Sequence, residues 1–193
     1  MRLVIFGGTF DPIHKAHLAI ACAAADRFSL DRVLFVPAAH PPHKRGGTHA
    51  PFEDRLRMVE LAVADDPRFE ASRLEEFTER SYSIDTIERV LATLAPGDEL
   101  FFLIGADAFA EIRTWHRWRE VARLVRFIVV SRPGATYDIP EGVTAERIDS
   151  VLLPVSSSEI RRAMTAGEHP DVLPSQVFDY ALSHHLYTRR NNA

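Results

Sequence analysis

The chain has 193 residues, 46% hydrophobic and 26% charged, with a formal net charge of −4 and a pI near 6.1. A composition this close to that of an average folded domain excludes a disordered or collagen-like chain, and the length points to one domain over residues 1–193. The acidic balance argues against a general affinity for nucleic acid backbones, so any anionic ligand has to be held locally.

In chain order, Leu3 to Phe6 is a short continuous apolar run stopped by Gly7-Gly8, the pattern of a strand buried on both faces of a parallel sheet. It is too short for a signal segment or a membrane span, which predicts a cytoplasmic protein without a membrane partner. Apolar residues from Leu18 to Phe28 predict an alanine-rich helix. Within it lies the single cysteine, Cys22, which excludes an intrachain disulfide and a cysteine-based zinc site and reads as a small buried apolar residue. Arg32 to Val36 is a second buried strand, completing a strand–helix–strand unit.

Pro37 to Ala50 holds three prolines, two glycines and three histidines and must be a loop, of a length that compact domains reserve for function or disorder. Pro51 then opens a helix through Leu56, Val59 and Val63. Tyr82 to Ile87 leads into a helix through Val90, Leu91 and Leu94, and Glu99 to Gly105 is the clearest buried strand. Short helical pieces are predicted from Ala106 to Val125 and a strand over Arg126 to Val130. Ala135 to Ser150 reads as irregular, followed by a short strand near Val151. Ser156 and Glu159 have capping-box spacing, and helices are predicted over Ser157 to Ala166 and Ser175 to His184. Alternation of this kind implies a doubly wound, Rossmann-like three-layer α/β domain with a mainly parallel sheet, C-terminal helices, and ligands at the carboxyl ends of the strands.

The first strand runs into Gly7-Gly8-Thr9, and His14-Lys15-Ala16-His17 opens the next helix, which turns free backbone N–H groups and a positive helix end toward an anion. Neither G-x-G-x-x-G nor the P-loop spacing is present. Two histidines three residues apart share one helix face. Alone they fit a structural pair, a metal pair or ordinary surface residues, although a metal needs a third ligand and none is evident.

Gly7 to His17 resembles the signature of the nucleotidyltransferase superfamily: a Gly-rich turn, Phe-Asp-Pro-x-His, then H-x-G-H, with Ala16 where the pattern favours glycine. Val155-Ser156-Ser157-Ser158-Glu159-Ile160-Arg161 resembles the second signature of that superfamily, I-S-S-[ST]-x-[IV]-R. The middle of the chain is similar to the bacterial nicotinate mononucleotide adenylyltransferases in Pro41-Pro42-His43-Lys44, in Arg55 to Met58, in Ser81-Tyr82-Ser83-Ile84-Asp85-Thr86, in Ile104-Gly105-Ala106-Asp107 and in Thr114-Trp115.

The resemblance implies transfer of AMP from ATP to nicotinate mononucleotide in NAD biosynthesis, by direct in-line attack, with Mg²⁺ carried on ATP and no protein metal site. Carried over, it places His14, His17, Lys44 and Arg161 at the phosphates, with Gly7, Gly8, Thr9, Phe10, Gly105, Asp107, Ser156, Ser157 and Ser158 around ATP. It makes Trp115 the platform for the nicotinate ring and Ser83 the hydroxyl donor to its carboxylate, with Gly8, Tyr82 and His116 beside them. The same residues argue against a phosphopantetheine adenylyltransferase, through Ser83 and Trp115, and against a non-catalytic nucleotide-binding regulator, through His14, His17 and Arg161. They do not fix the oligomeric state.

Overall fold

The computed structural model describes residues 1–41, 47–131, 136–149 and 155–188. Among these, six strands form one sheet, with β1 Arg2–Gly8, β2 Arg32–Pro37, β3 Phe69–Ala71, β4 Glu99–Gly105, β5 Arg126–Ser131 and β6 Ala145–Asp149. Their spatial order is β3-β2-β1-β4-β5-β6 and every neighbouring pair is parallel. The helices are α1 Lys15–Phe28, α2 Phe52–Val63, α3 Ser83–Leu91, α4 Ala106–Ala110, α5 Trp118–Leu124, α6 Ser157–Thr165 and α7 Ser175–Ser183, with a 3₁₀ turn at Ile112–Thr114.

The inner strands are apolar at consecutive positions because both of their faces are covered. In β1, Val4 and Phe6 pack with α1, α2, α6 and α7, through residues such as Ala24, Val59, Ile160 and Val177. Leu3 and Ile5 point to the opposite face and pack with α3, α4 and α5, through Ile87, Phe109 and Val121. Two apolar layers thus sandwich the sheet. The strand order reverses between β1 and β4, which both border the centre, and the crevice beyond their carboxyl ends is where an open α/β sheet receives ligands.

Three expectations need correction. The segment read as irregular contains β6, whose one fully buried residue is Ile148; its register with β5, from Phe127↔Ala145 to Ser131↔Asp149, comes from the backbone ladder and leaves no apolar pattern to read. The strand expected near Val151 lies outside the described residues. The helix expected to run through Leu94 ends at Leu91. β3 was not anticipated, being a three-residue edge strand with no fully buried residue. Cys22 is only partly buried.

Candidate active site

The turn after β1 is built around two residues that dictate its shape. Phe10 adopts φ +46°, an uncommon left-handed conformation for a bulky residue, and its ring is buried against Phe6 and Phe35. That ring lies over Gly8, where an added Cβ would meet it at 3.0 Å. A side chain at position 8 would therefore crowd the Phe10 ring, whatever ligand approaches.

Asp11, 1% exposed, ties the turn through its carboxylate to two distant segments. Its carboxylate accepts the N–H groups of His49 and Ala50 at 2.8 and 3.1 Å, and the Tyr187 hydroxyl donates to it at 2.8 Å. Burial first, and then the charge of Asp11, raises the pKa of the Tyr187 phenol, so this group remains a donor. Arg55, completely buried on α2, donates to the Thr9 carbonyl at 2.7 Å and to the Ala50 carbonyl at 3.2 Å. Burial lowers its pKa, opposed by Asp11.

His14 is the N-cap of α1 and His17 lies one turn on, with their rings stacked at 3.8 Å between centroids. The His14 N–H donates to His17 Nδ1 at 3.2 Å, so the proton of the His17 ring sits on Nε2. Burial holds the pKa of His14 down, at about 4. Burial, and then the proximity of His14, holds His17 well below the usual histidine range. Both rings are neutral near pH 7. Ala16 between them is buried and lines none of the described cavities.

The second serine-rich signature meets this turn directly. Ser156 caps α6, accepting from the Glu159 N–H at 3.2 Å while the Glu159 carboxylate accepts from the Ser156 N–H at 2.9 Å. Ser157 Oγ donates to the Pro12 carbonyl at 3.1 Å. Arg161 donates to the Asp11 carbonyl at 2.7 Å and to Ser158 Oγ at 3.1 Å, which leaves further guanidinium donors for a ligand. Segments separated by 145 and 150 positions are thus joined into one surface.

On the other side of the sheet centre, a cavity of about 370 Å³ runs from Gly7, Gly8 and Thr9 to Gly105, Ser83 and Trp115. It shares Ser81, Ser83, Ala108 and Trp115 with an adjoining cavity of about 460 Å³ that also contains Tyr82 and His116. Together they have the size of a small-molecule site. Trp115 is propped edge-on by Phe102 at 5.7 Å, and Tyr82 stacks on His116 at 4.5 Å. Ser83 is the first residue of α3, beside that helix's unpaired N–H groups.

The structure therefore brings together Gly7, Gly8, Thr9, Phe10, His14, His17, Ser157, Ser158 and Arg161, and separately Tyr82, Ser83, Trp115 and His116. Asp107 is exposed in the first turn of α4, whose N-cap is Gly105. Lys44 lies outside the described residues. Among those described, no three His, Cys, Asp or Glu side chains converge as a metal site. Glu75 and Tyr187 were not foreseen, and Asp11 was foreseen only as part of the Phe-Asp-Pro-x-His signature. Arg55 was foreseen only as part of a motif. A charged residue inside the apolar face formed by Leu56, Met58 and Val59 was a readable signal for Arg55; Tyr187 had none.

A family model described as cytidylyltransferase-like matches residues 5–163. A protein of Solibacter usitatus (strain Ellin6076) named "Probable nicotinate-nucleotide adenylyltransferase" is 70% identical over 187 residues, covering 97% of this chain and all of that one. A protein of the same name from Geobacter metallireducens is 41% identical, covering 97% and 99%. Among solved structures, the fold is shared with Plasmodium falciparum nicotinic acid mononucleotide adenylyltransferase complexed with NaAD, at a TM-score of 0.77 and 20% identity over 96% of this chain and 97% of that one.

Proposed function

The chain belongs to the cytidylyltransferase-like family and, within it, to the nicotinate-nucleotide adenylyltransferases, and from that membership we propose how its own residues carry the reaction. An oxygen of the mononucleotide 5′-phosphate attacks the α-phosphorus of ATP in line. The bond to the β-phosphate oxygen breaks, and nicotinate adenine dinucleotide and pyrophosphate are formed. The nucleophile is already ionised, so positioning and charge stabilisation carry the catalysis and no covalent enzyme intermediate is needed.

The observation that best supports this reading is the union of the two phosphate-binding signatures, with Arg161 and Ser157 bonded to the Asp11-Pro12 segment. His14 and His17, neutral near pH 7, donate N–H groups to the α- and β-phosphates. The proton on His17 Nε2 suits this role. Arg161 and Lys44 take the outer phosphates, while Gly7, Gly8, Thr9, Phe10, Gly105, Asp107 and Ser156 to Ser158 surround ATP. Mg²⁺ would come as part of the MgATP substrate and would supply charge neutralisation at the phosphates, beside His14, His17 and Arg161. The one buried carboxylate in the phosphate-binding turn, Asp11, is already committed to two N–H groups and a phenol.

Trp115 offers its indole to the cationic pyridinium ring. Ser83, with the start of α3 behind it, supplies donors to the ring carboxylate, and Tyr82 and His116 close the end of the cavity. The backbone N–H groups at the start of α3 can only donate, which favours a carboxylate over an amide whose own N–H would face them, so the acid is the preferred substrate. Residues 1–193 act as a single nucleotidyltransferase domain in the cytoplasm. No described helix is long and apolar enough to cross a membrane.

Pyrophosphate release with ATP and nicotinate mononucleotide tests the reading, with the amide nucleotide and phosphopantetheine as competitors. The acid should be turned over fastest. No release with the acid would sink the assignment.

A further inference from the structure

We infer that Glu75 holds the mononucleotide by accepting a hydrogen bond from the 2′- or 3′-hydroxyl of its ribose, acting as a substrate-positioning residue. This deepens the reading above and rests on it. Glu75 is 7% exposed and lines the central cavity that joins the Gly7–Thr9 turn to Ser83 and Trp115. It lines neither the outer cavity around Tyr82 and His116 nor the one beneath the Pro41 loop.

One carboxylate oxygen is fixed and the other is not. Thr86 Oγ1, itself buried, donates to Glu75 Oε1 at 2.6 Å. Thr78 anchors the backbone by donating its N–H and its hydroxyl to the Glu75 carbonyl, at 3.1 and 2.8 Å. Oε2 is buried with no hydrogen-bond partner, an arrangement that is costly unless something else satisfies it. The nearby buried cation does not consume it. Arg55 adds favourable charge and donates through Nε and Nη1 to the Ala50 and Thr9 carbonyls; its Nη2 is also buried without a partner, and no ion pair joins it to Glu75 among the described residues.

The chemistry of the ligand selects the partner. Nicotinate mononucleotide is anionic at both ends, through its ring carboxylate and its phosphate, and both repel a carboxylate. Its hydroxyl donors are on the ribose. With the ring at Trp115 and Ser83 and the phosphate at Gly7 to Thr9, the ribose falls in the stretch of cavity that Glu75 lines. A small rotation about the broad terminal torsion of Glu75 presents Oε2 to a hydroxyl.

The test uses the wild-type protein and E75Q, an isosteric variant whose amide oxygen can still accept from Thr86. Wild-type kcat/KM should fall about tenfold or more for the 2′-deoxy or the 3′-deoxy analogue of nicotinate mononucleotide, the scale of a lost hydrogen bond to a charged group. E75Q should lose a similar factor on the parent substrate, mainly through KM for the mononucleotide, with KM for ATP unchanged. On the sensitive deoxy analogue, E75Q and wild type should be alike. Equal use of the parent and both analogues by wild type overturns the inference, and this arm needs no variant to fold. So does an equal loss by E75Q on parent and analogue, the signature of a merely structural role. Absence of wild-type turnover with the parent would instead refute the reaction itself.

Discussion

In the reaction proposed above, the two stacked, neutral imidazoles at the start of α1 act at the phosphates as N–H donors, while Arg161 supplies positive charge. Neutrality has a consequence for stability. The folded protein holds His14 at about 4 against 6.5 for the free side chain, so acidification through that window protonates the unfolded chain first. Stability from this group is fully present above pH 6.5 and is lost as the pH falls toward 4. Between pH 7 and 5 the loss is about 2 kcal/mol. Urea unfolding at the two pH values should show it in wild type, and the pH difference should shrink by about that amount in H14Q. An unchanged difference would mean that His14 is not held neutral. The histidine pair was legible in the sequence as two rings on one helix face. Their protonation was not, because it depends on burial, of His17 against Phe6 and Phe10 and of His14 against His17, which the local sequence does not display.

At the scale of elements, α6 shows how one short helix serves both stability and the site. Its capping box was readable from the spacing of Ser156 and Glu159 alone, because a cap is a local device. The bonds that dock it, from Ser157 to Pro12 and from Arg161 to Asp11, could be inferred only from the paired signatures. S156A should cost about 1 kcal/mol of stability, measured by thermal or urea unfolding, and should raise KM for ATP as the start of α6 loosens around Arg161. Loss of stability with an unaltered KM would separate the cap from the site. The edge strands β3 and β6 were beyond sequence reading for the opposite reason. They are short, lie at the borders of the sheet and are held mainly by the ladders to β2 and β5. The inner strands β1, β2, β4 and β5, buried on both faces, announced themselves as unbroken apolar runs.

Across the whole molecule, the reversal of strand order between β1 and β4 places the ATP-side turn and the ring cavity on either side of one crevice. The turn is closed from a long way off. Tyr187 donates to Asp11, and its carbonyl shares the Thr165 hydroxyl with the Arg161 carbonyl, each at 2.8 Å, which links the segment after α7 to both α6 and the loop after β1. Y187F removes one donor from a buried carboxylate and should cost about 1–3 kcal/mol of stability. It should also weaken ATP affinity more than mononucleotide affinity in equilibrium titrations; equal weakening of both would count against a local role. The same link bears on the order of events during synthesis. The glycine turn leaves the ribosome early, but its buried carboxylate acquires its phenol only after the segment carrying Tyr187 has emerged. A nascent chain therefore holds this carboxylate without its phenol until Tyr187 has emerged, and in the proposed site that later docking completes the turn offered to ATP.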